Sequence, residues 1–193
     1  GLKDQFVQDC GAYNPLAMTL AYNTAAHIRG LYKINNYNVI GKNVLTNKTP
    51  VIPARGAGRP EAAFTMDRII DKVAETLNMD PVEVMFKNLI RPEEMPYDTG
   101  MYYRDGEKLI YDSGNYLAML NKALELIDYN QFRSEQEKLK QQGKYIGIGF
   151  SSYIEGTGIG PFEGALVQLD ATGQIIIKSG TCPHGQSHAT TFS

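Results

Sequence analysis

The sequence is poor in cysteine. Its 193 residues include two, Cys10 and Cys182, which stand far apart in the chain. Two distant cysteines provide no disulfide framework of the kind that stabilises small secreted domains. Because this usage fits a reducing compartment, we expect a cytoplasmic protein.

Long apolar runs and concentrated positive charge are also missing. No segment approaches the roughly 20 consecutive apolar residues of a transmembrane helix, and no basic segment followed by an apolar run indicates a signal peptide. The 19 lysines and arginines are balanced by 21 acidic residues and are scattered along the chain. Because nucleic acids are bound by clustered basic residues, the sequence argues against a nucleic-acid partner. We likewise expect no membrane span.

Most of the chain before Gly143 shows helical patterns. Asn14 with Pro15 is typical of a helix start, and Asp80 with Glu83 resembles a capping box. Helices are predicted at 16–29, at 80–89 and, as a solvated helix, at 131–142. Another predicted helix carries an apolar stripe of Met66, Ile69, Ile70, Val73 and Leu77. A fifth is capped by Asp112 and Ser113 and has on one face Tyr116, Leu120, Leu124 and Ile127. Segment 92–106, rich in proline, glycine and tyrosine, is predicted to be a loop.

Beyond Gly143 the pattern changes from helical to β. We predict strands there at 145–154, 165–170 and 174–179, in addition to one earlier strand at 39–46. The Ala-Thr-Gly sequence at 171–173 is typical of a hairpin that joins the last two. We therefore place a domain boundary near residue 143, with domains 1–143 and 144–193.

One glycine-rich segment, Arg55-Gly-Ala-Gly-Arg-Pro-Glu-Ala62, leads into the predicted helix that carries Met66. Its glycines allow the backbone to approach a ligand closely, and the helix N-terminus adds positive potential suited to anionic oxygens. A tight turn between a strand and a helix explains the same residues. The segment is neither a Walker A loop nor a dinucleotide GxGxxG loop.

Seven short landmarks resemble, in their order along the chain, the large subunit of the xanthine dehydrogenase, aldehyde oxidoreductase and carbon monoxide dehydrogenase family. They are Asp9-Cys-Gly-Ala-Tyr13, Tyr32-Lys-Ile34, Arg55-Gly-Ala-Gly-Arg-Pro-Glu-Ala62, Tyr111-Asp-Ser-Gly114, Tyr153-Ile-Glu155, Gly158-Ile-Gly-Pro161 and Pro183-His-Gly-Gln-Ser-His188. Each landmark alone is weak, but seven in the right order are a strong signal.

This resemblance implies an α+β fold in which two domains hold a molybdenum–pyranopterin cofactor, usually molybdopterin cytosine dinucleotide in bacterial members. Residues 1–143 would be the C-terminal part of the first domain, and residues 144–193 the N-terminal part of the second. The implied cofactor-binding residues are Arg55, Gly56, Ala57, Gly58, Gly185, Gln186, Ser187 and His188.

Departures from the family's patterns narrow the substrate. Gly56 stands where copper-containing carbon monoxide dehydrogenases carry a cysteine, so the loop offers no thiolate for copper(I). Purine-oxidising members have an aromatic residue at the position of Ala57 and an arginine at the position of Asn23, so two contacts to a purine are missing here. A third contact of those members, an aromatic residue beside the ring, is matched by Phe150, which is followed by Ser151. We therefore expect a substrate pocket of Asn23, Ala57, Phe150 and Ser151 for an aldehyde or a small heterocycle.

The resemblance also implies hydroxylation with water as the oxygen source, a glutamate as general base, and electron transfer through 2Fe–2S clusters to FAD on partner subunits. That glutamate belongs to a motif outside this chain, and Glu61, Glu155 and Glu163 are better explained by structural roles. The expected partners are the remaining portions of the molybdenum subunit, an iron–sulfur subunit, a FAD subunit and a small-molecule substrate. The chain alone is expected to be inactive.

Two other interpretations stay open. A non-catalytic binding or assembly module with the same fold is favoured by Ser187, where the family has glycine. A metal site could use Cys182, His184 and His188. However, Pro183 and Gly185 interrupt the helix that would align the histidines, so we expect no metal site here.

Overall fold

The computed structural model describes residues 1–156, 162–183 and 185–192. The landmark Gly158-Ile-Gly-Pro161 and His184 therefore lie outside the described residues. The chain forms two compact units, Gly1–Ile154 and Glu155–Ser193. Helices and strands are mixed, as predicted, in the order β1 (Leu2–Gly11), α1 (Ala17–His27), β2 (Tyr37–Leu45), α2 (Arg59–Leu77), α3 (Pro81–Asn88), a 3₁₀ turn (Pro92–Glu94), β3 (Tyr97–Tyr102), β4 (Lys108–Tyr111), α4 (Tyr116–Leu126), α5 (Tyr129–Gln141), β5 (Ala165–Leu169), β6 (Ile175–Ser179) and α6 (His188–Thr191).

The first unit opens with a β–α–β arrangement. Strands β1 and β2 are parallel, with Leu2 opposite Tyr37, and α1 connects them. Helix α1 and strand β2 confirm two predictions, but β1 was missed. Its inward face includes Asp4 and Gln8, which interrupt the alternation of apolar and polar residues that identifies a half-buried strand.

The core of the first unit lies between α2, α3 and α4. Helix α2 confirms the predicted helix, although its buried face includes Ala62 and Ala74, while Leu77 is 59% exposed. Asp80 caps α3 as predicted, because its carboxylate accepts a hydrogen bond from the N–H of Val82 at 2.8 Å. The buried cluster consists of Leu31, Tyr32, Met66, Ile70, Ala74, Val82, Val84, Met85, Leu89, Ile90, Tyr111, Tyr116 and Leu120.

The predicted loop at 92–106 was wrong. It contains a 3₁₀ turn and strand β3, which pairs antiparallel with β4. The register shifts between Asp98 and Tyr102, around Gly100 with its positive φ of 71°. Such an irregularity hides the strand from a search for strict alternation.

Helices α4 and α5 confirm the last two helical predictions. Asn115, rather than Asp112 or Ser113, caps α4, accepting a hydrogen bond from the N–H of Ala118. Helix α5 has no fully buried residue and ends before Gly143, as expected for a solvated helix.

The predicted strand at 145–154 was also wrong, because these residues adopt no regular strand. Their backbone is held by side chains of neighbouring helices. Gln136 donates to the carbonyl of Ile146 at 2.8 Å, and the N–H of Ser152 donates to the Asp67 carboxylate at 3.1 Å. Side chains therefore supply hydrogen bonds that a partner strand would otherwise provide.

The second unit contains the predicted hairpin. Strands β5 and β6 are antiparallel in a continuous register, with Leu169 opposite Ile175. The turn between them is held by Asp170, whose carboxylate accepts from the N–H groups of Thr172 and Gln174. Apolar side chains are exposed on both strands, Leu169 to 70%.

Among the described residues, no helix combines the length and apolar character required to cross a membrane.

The pH dependence of stability should depend on Asp67. Burial raises the pKa of its carboxyl above the usual value, and hydrogen bonds from Ser152 and Tyr32 oppose that shift. The folded state therefore holds this proton more tightly than the unfolded state does. The contribution to stability is complete below the unfolded pKa and is lost as the pH rises through the folded pKa. Compared with the wild type, Asp67→Asn should thus become progressively more stable as the pH rises from about 4, the unfolded pKa, through the raised folded pKa.

Urea unfolding at several pH values measures this difference in the free energy of unfolding. Glu137→Gln, at an exposed position of α5, controls for the loss of one negative charge. A constant difference between Asp67→Asn and wild type across this range would contradict the prediction.

Candidate functional site

The glycine-rich segment forms a turn of three successive residues with positive φ immediately before α2. The φ angles are 106° at Gly56, 47° at Ala57 and 95° at Gly58. Glycine adopts such angles without steric cost, whereas alanine does not. The predicted link between extended chain and helix is therefore present, and its geometry depends on both glycines.

Two backbone donors in this turn have no hydrogen-bond partner among the described residues. The N–H of Ala57 bonds to the carbonyl of Ala54 at 2.9 Å, and that of Arg59 to the carbonyl of Gly56 at 3.1 Å. Within the described part of the chain, no oxygen accepts a hydrogen bond from the N–H of Gly56 or Gly58. Since Gly58 is buried and precedes a helix N-terminus, the turn has the donors and positive potential that suit an anion.

Helix α1 packs against the turn and forms hydrogen bonds with it. A Cβ on Gly58 would lie 2.2 Å from the carbonyl oxygen of Leu20, so the backbones are in close contact. Thr24 donates its hydroxyl to the carbonyl of Gly58 at 2.9 Å, and Asn23 donates its amide to the carbonyl of Ala57 at 2.8 Å. Asn23, expected in the substrate pocket, thus lies against the loop, and it is 1% exposed.

Three further side chains complete the hydrogen bonding around Asn23. The Tyr103 hydroxyl donates to Asn23 Oδ1 at 2.9 Å and accepts from Arg59 Nη2 at 2.9 Å. Arg59 Nε lies 3.3 Å from His27 Nε2, and His27 Nδ1 lies 2.8 Å from the carbonyl of Asn23. Burial is the main cause that lowers the pKa of His27 below its usual value, which favours the neutral ring.

Sequence reasoning missed Tyr103 and His27. His27 stands four residues after Asn23 in a mostly apolar helix, so a pair of buried polar residues on one face was a usable signal. Tyr103 is separated from Asn23 by 80 residues and lay in a predicted loop, so no local pattern could indicate their contact.

Phe150 and Ser151, also expected in the substrate pocket, follow α5 in the first unit. The Phe150 ring packs edge-on against Tyr129 at 5.6 Å between centroids and contacts the buried cluster. Asp67 holds the next residue, Ser152, through its backbone N–H.

The second predicted cofactor segment lies in the other unit. Gly185 has a φ of 100°, and Ser187 has a φ of 57° immediately before the short helix α6. The ring of His188 stacks on Phe192 at 4.9 Å. Serine therefore occupies a left-handed backbone position here, where glycine would be less strained.

The remaining candidates show no catalytic arrangement among the described residues. Glu61 lies in the first turn of α2, where an acidic side chain is stabilised by the helix dipole. No group of three or more histidine, cysteine or acidic side chains among the described residues could hold a metal ion. The interpretation with Cys182, His184 and His188 includes a residue outside the described ranges and stays untested.

Replacing Gly58 should separate close contact from backbone strain. Gly58→Ala introduces both an unfavourable φ and an overlap with the carbonyl of Leu20, so we expect a loss of about 2–5 kcal/mol in the free energy of unfolding. Gly106→Ala is the matched control, because its φ is 86° but nothing lies within 4 Å of the added carbon. That control should cost about 1–2 kcal/mol, from strain alone.

Denaturant unfolding of both variants measures these costs. Equal costs at the two positions would show that the turn does not sit closely on α1.

Models of known families match most of the chain. The molybdopterin cofactor-binding domain is matched by one model over residues 1–89 and by a second over residues 122–193. The compact units divide after Ile154. The domain boundary near residue 143 remains a prediction.

Curated relatives and solved structures agree with these matches. The large chain of carbon monoxide dehydrogenase from Hydrogenophaga pseudoflava is 33% identical over 100% of this chain and 26% of the relative. The gamma subunit of the 6-hydroxypseudooxynicotine dehydrogenase complex from Paenarthrobacter nicotinovorans is 30% identical over 100% of this chain and 24% of the relative. Quinoline 2-oxidoreductase from Pseudomonas putida 86 superposes with a TM-score of 0.80 at 29% identity, covering 98% of this chain and 26% of that structure.

The chain thus spans about a quarter of the length of these proteins. With both molybdopterin-binding models matched and the fold shared, it belongs to the family of molybdenum-binding large subunits that includes carbon monoxide dehydrogenase and xanthine dehydrogenase.

Proposed function

We propose that this chain forms part of the cofactor-binding surface of a molybdenum hydroxylase that oxidises an aldehyde or a small heterocycle with water as the oxygen source. The observation that carries the proposal is the turn at Gly56–Gly58, whose two unpartnered N–H groups precede a helix N-terminus in a chain of this family. Such a turn binds anionic oxygens.

The residues present fit a molybdenum–pyranopterin cofactor. In the first unit, Arg55, Gly56, Ala57 and Gly58 would offer backbone donors and one cationic side chain. In the second unit, Gly185 with its φ of 100° and the residues Gln186, Ser187 and His188 would hold another part of the cofactor. We propose the cytosine dinucleotide form. The group would supply the oxidation–reduction chemistry, and the residues of this chain would bind and orient it.

The turn also supports the choice of substrate. Gly56 and Ala57 place neither a thiolate nor an aromatic ring in the loop, which disfavours a copper site and a stacked purine. Relatives named nicotine 6-hydroxylase and quinoline 2-oxidoreductase favour an N-heterocycle within the proposed class. Phe150 and Ser151 are the further proposed substrate contacts.

The complete enzyme is proposed to be a cytoplasmic multi-subunit complex. Relatives named as a gamma subunit and a large chain support this organisation. The other parts would be the remaining portions of the molybdenum subunit, an iron–sulfur subunit with 2Fe–2S clusters and a FAD subunit. The general base would come from outside this chain.

Ser187 favours a second candidate, a binding or assembly module that has lost the cofactor. Its φ of 57° is a conformation that glycine adopts more readily, and glycine is what the family pattern has there. A module of this kind would keep the fold without molybdenum.

The metal and nucleotide content of the natural complex distinguishes the two candidates. We expect molybdenum and iron in the purified complex, FAD in its visible spectrum, cytidine monophosphate after acid hydrolysis, and no stoichiometric copper. Elemental analysis and chromatography of the released nucleotide measure these contents. A complex that contains no molybdenum and no pterin would support the module and overturn the enzyme.

Isotope labelling tests the reaction itself. Purified complex incubated with an aldehyde or an N-heterocycle in ¹⁸O-labelled water should yield a product that carries the label, with faster turnover than with xanthine or carbon monoxide. Mass spectrometry of the products detects the label. Preferential oxidation of xanthine or of carbon monoxide would contradict the proposed substrate class.

A further inference from the structure

A chain of hydrogen bonds leads from Arg59 to the turn at Gly56–Gly58, which immediately precedes Arg59 in the sequence. Arginine has donors and no acceptor, so the Tyr103 hydroxyl must accept from Arg59 and direct its own hydrogen to Asn23 Oδ1. Asn23 is then left with its amide nitrogen facing the carbonyl of Ala57. The orientation of the Asn23 amide is therefore determined by its neighbours.

A second path of hydrogen bonds also runs from Arg59 to Asn23, in this case through His27. Arg59 Nε donates to His27 Nε2, so the proton of the neutral ring sits on Nδ1 and is donated to the backbone carbonyl of Asn23. Both paths begin at one guanidinium and end at one residue of α1. Because Tyr103 is 8% and Asn23 1% exposed, water competes little for these bonds.

The bond from Asn23 fixes one peptide plane of the turn. In a trans peptide the carbonyl and the following N–H point in opposite directions. With the carbonyl of Ala57 held by Asn23, the N–H of Gly58 points away from α1. This N–H is one of the two unpartnered donors of the turn.

We propose that Tyr103 and Asn23 are positioning residues that orient the Ala57–Gly58 peptide, so that the N–H of Gly58 faces the anionic cofactor. This inference rests on the proposed function. It gives Asn23 a role different from substrate contact and adds Tyr103 to the site.

Three variants of the natural complex test the proposal. Tyr103→Phe removes only the hydroxyl, which frees the Asn23 amide to rotate. Asn23→Asp removes the N–H donor and favours the flipped peptide, with the N–H of Gly58 turned towards the carboxylate, a change that glycine's freedom permits. Tyr22→Phe is the matched control. Its hydroxyl donates to the carbonyl of Tyr102, and its ring packs on Tyr103 without a hydrogen bond to the turn.

The measured quantities are the rate at which molybdenum and pterin are lost during repeated gel filtration and the electron paramagnetic resonance spectrum of the reduced complex. We expect cofactor loss to be about threefold to tenfold faster in Tyr103→Phe and about tenfold to a hundredfold faster in Asn23→Asp. The spectrum should change in both variants but not in Tyr22→Phe.

The double variant provides the sharpest outcome. If Tyr103 acts through Asn23, then Asn23→Asp with Tyr103→Phe should lose cofactor no faster than Asn23→Asp alone. Additive effects, or a Tyr103→Phe complex that behaves like Tyr22→Phe in both measurements, would overturn this inference and leave the proposed function intact. A wild-type complex without molybdenum and pterin would overturn both.

Discussion

The close seating of the Gly56–Gly58 turn on α1 is the constraint from which the first unit's site follows. The separation of 2.2 Å between a hypothetical Cβ on Gly58 and the carbonyl of Leu20 leaves no room for a side chain. Helix α2 starts immediately after the turn and contributes Met66 and Ile70 to the buried cluster. The packing of the core and the shape of the turn are thus parts of one arrangement.

The β3–β4 hairpin connects this arrangement to a distant part of the chain. Arg29 donates to the carbonyl of Thr99 at 2.6 Å, and Tyr111 donates to the carbonyl of Gly30 at 2.9 Å. These two bonds dock the hairpin on the end of α1. The docking brings Tyr103, which follows β3, to the buried amide of Asn23. An element that sequence reasoning took for a loop therefore supplies a central contact of the site.

The contrast between α2 and β1 shows what the sequence could and could not predict. Helix α2 has an apolar stripe at helical spacing, and α3 has a capping aspartate, so both helices follow from local patterns. In β1 the inward positions include Asp4 and Gln8, whose burial depends on the surrounding elements. The backbone at 145–154 is likewise held by side chains, those of Gln136, ten residues before its partner Ile146, and of Asp67, 85 residues before Ser152.

The candidate site was likewise predictable from the sequence only in part. The sequence located the turn at Gly56–Gly58, because glycine spacing before a helix is a local signal. It also placed Asn23 next to that turn, through the resemblance to a family. It could not assign Tyr103 as the hydrogen-bond partner of the Asn23 side chain, since that contact depends on how the hairpin packs.

The identity of the residue at position 59 has a consequence for the uniqueness of the loop conformation. A guanidinium can only give hydrogens, so every bond downstream of Arg59 has a single allowed polarity. A glutamine in its place could both give and receive, and the Tyr103 hydroxyl could then turn around and let the Asn23 amide invert. The Ala57–Gly58 peptide would then lose one restraint on its orientation. Arg59 therefore contributes to a single conformation of the turn.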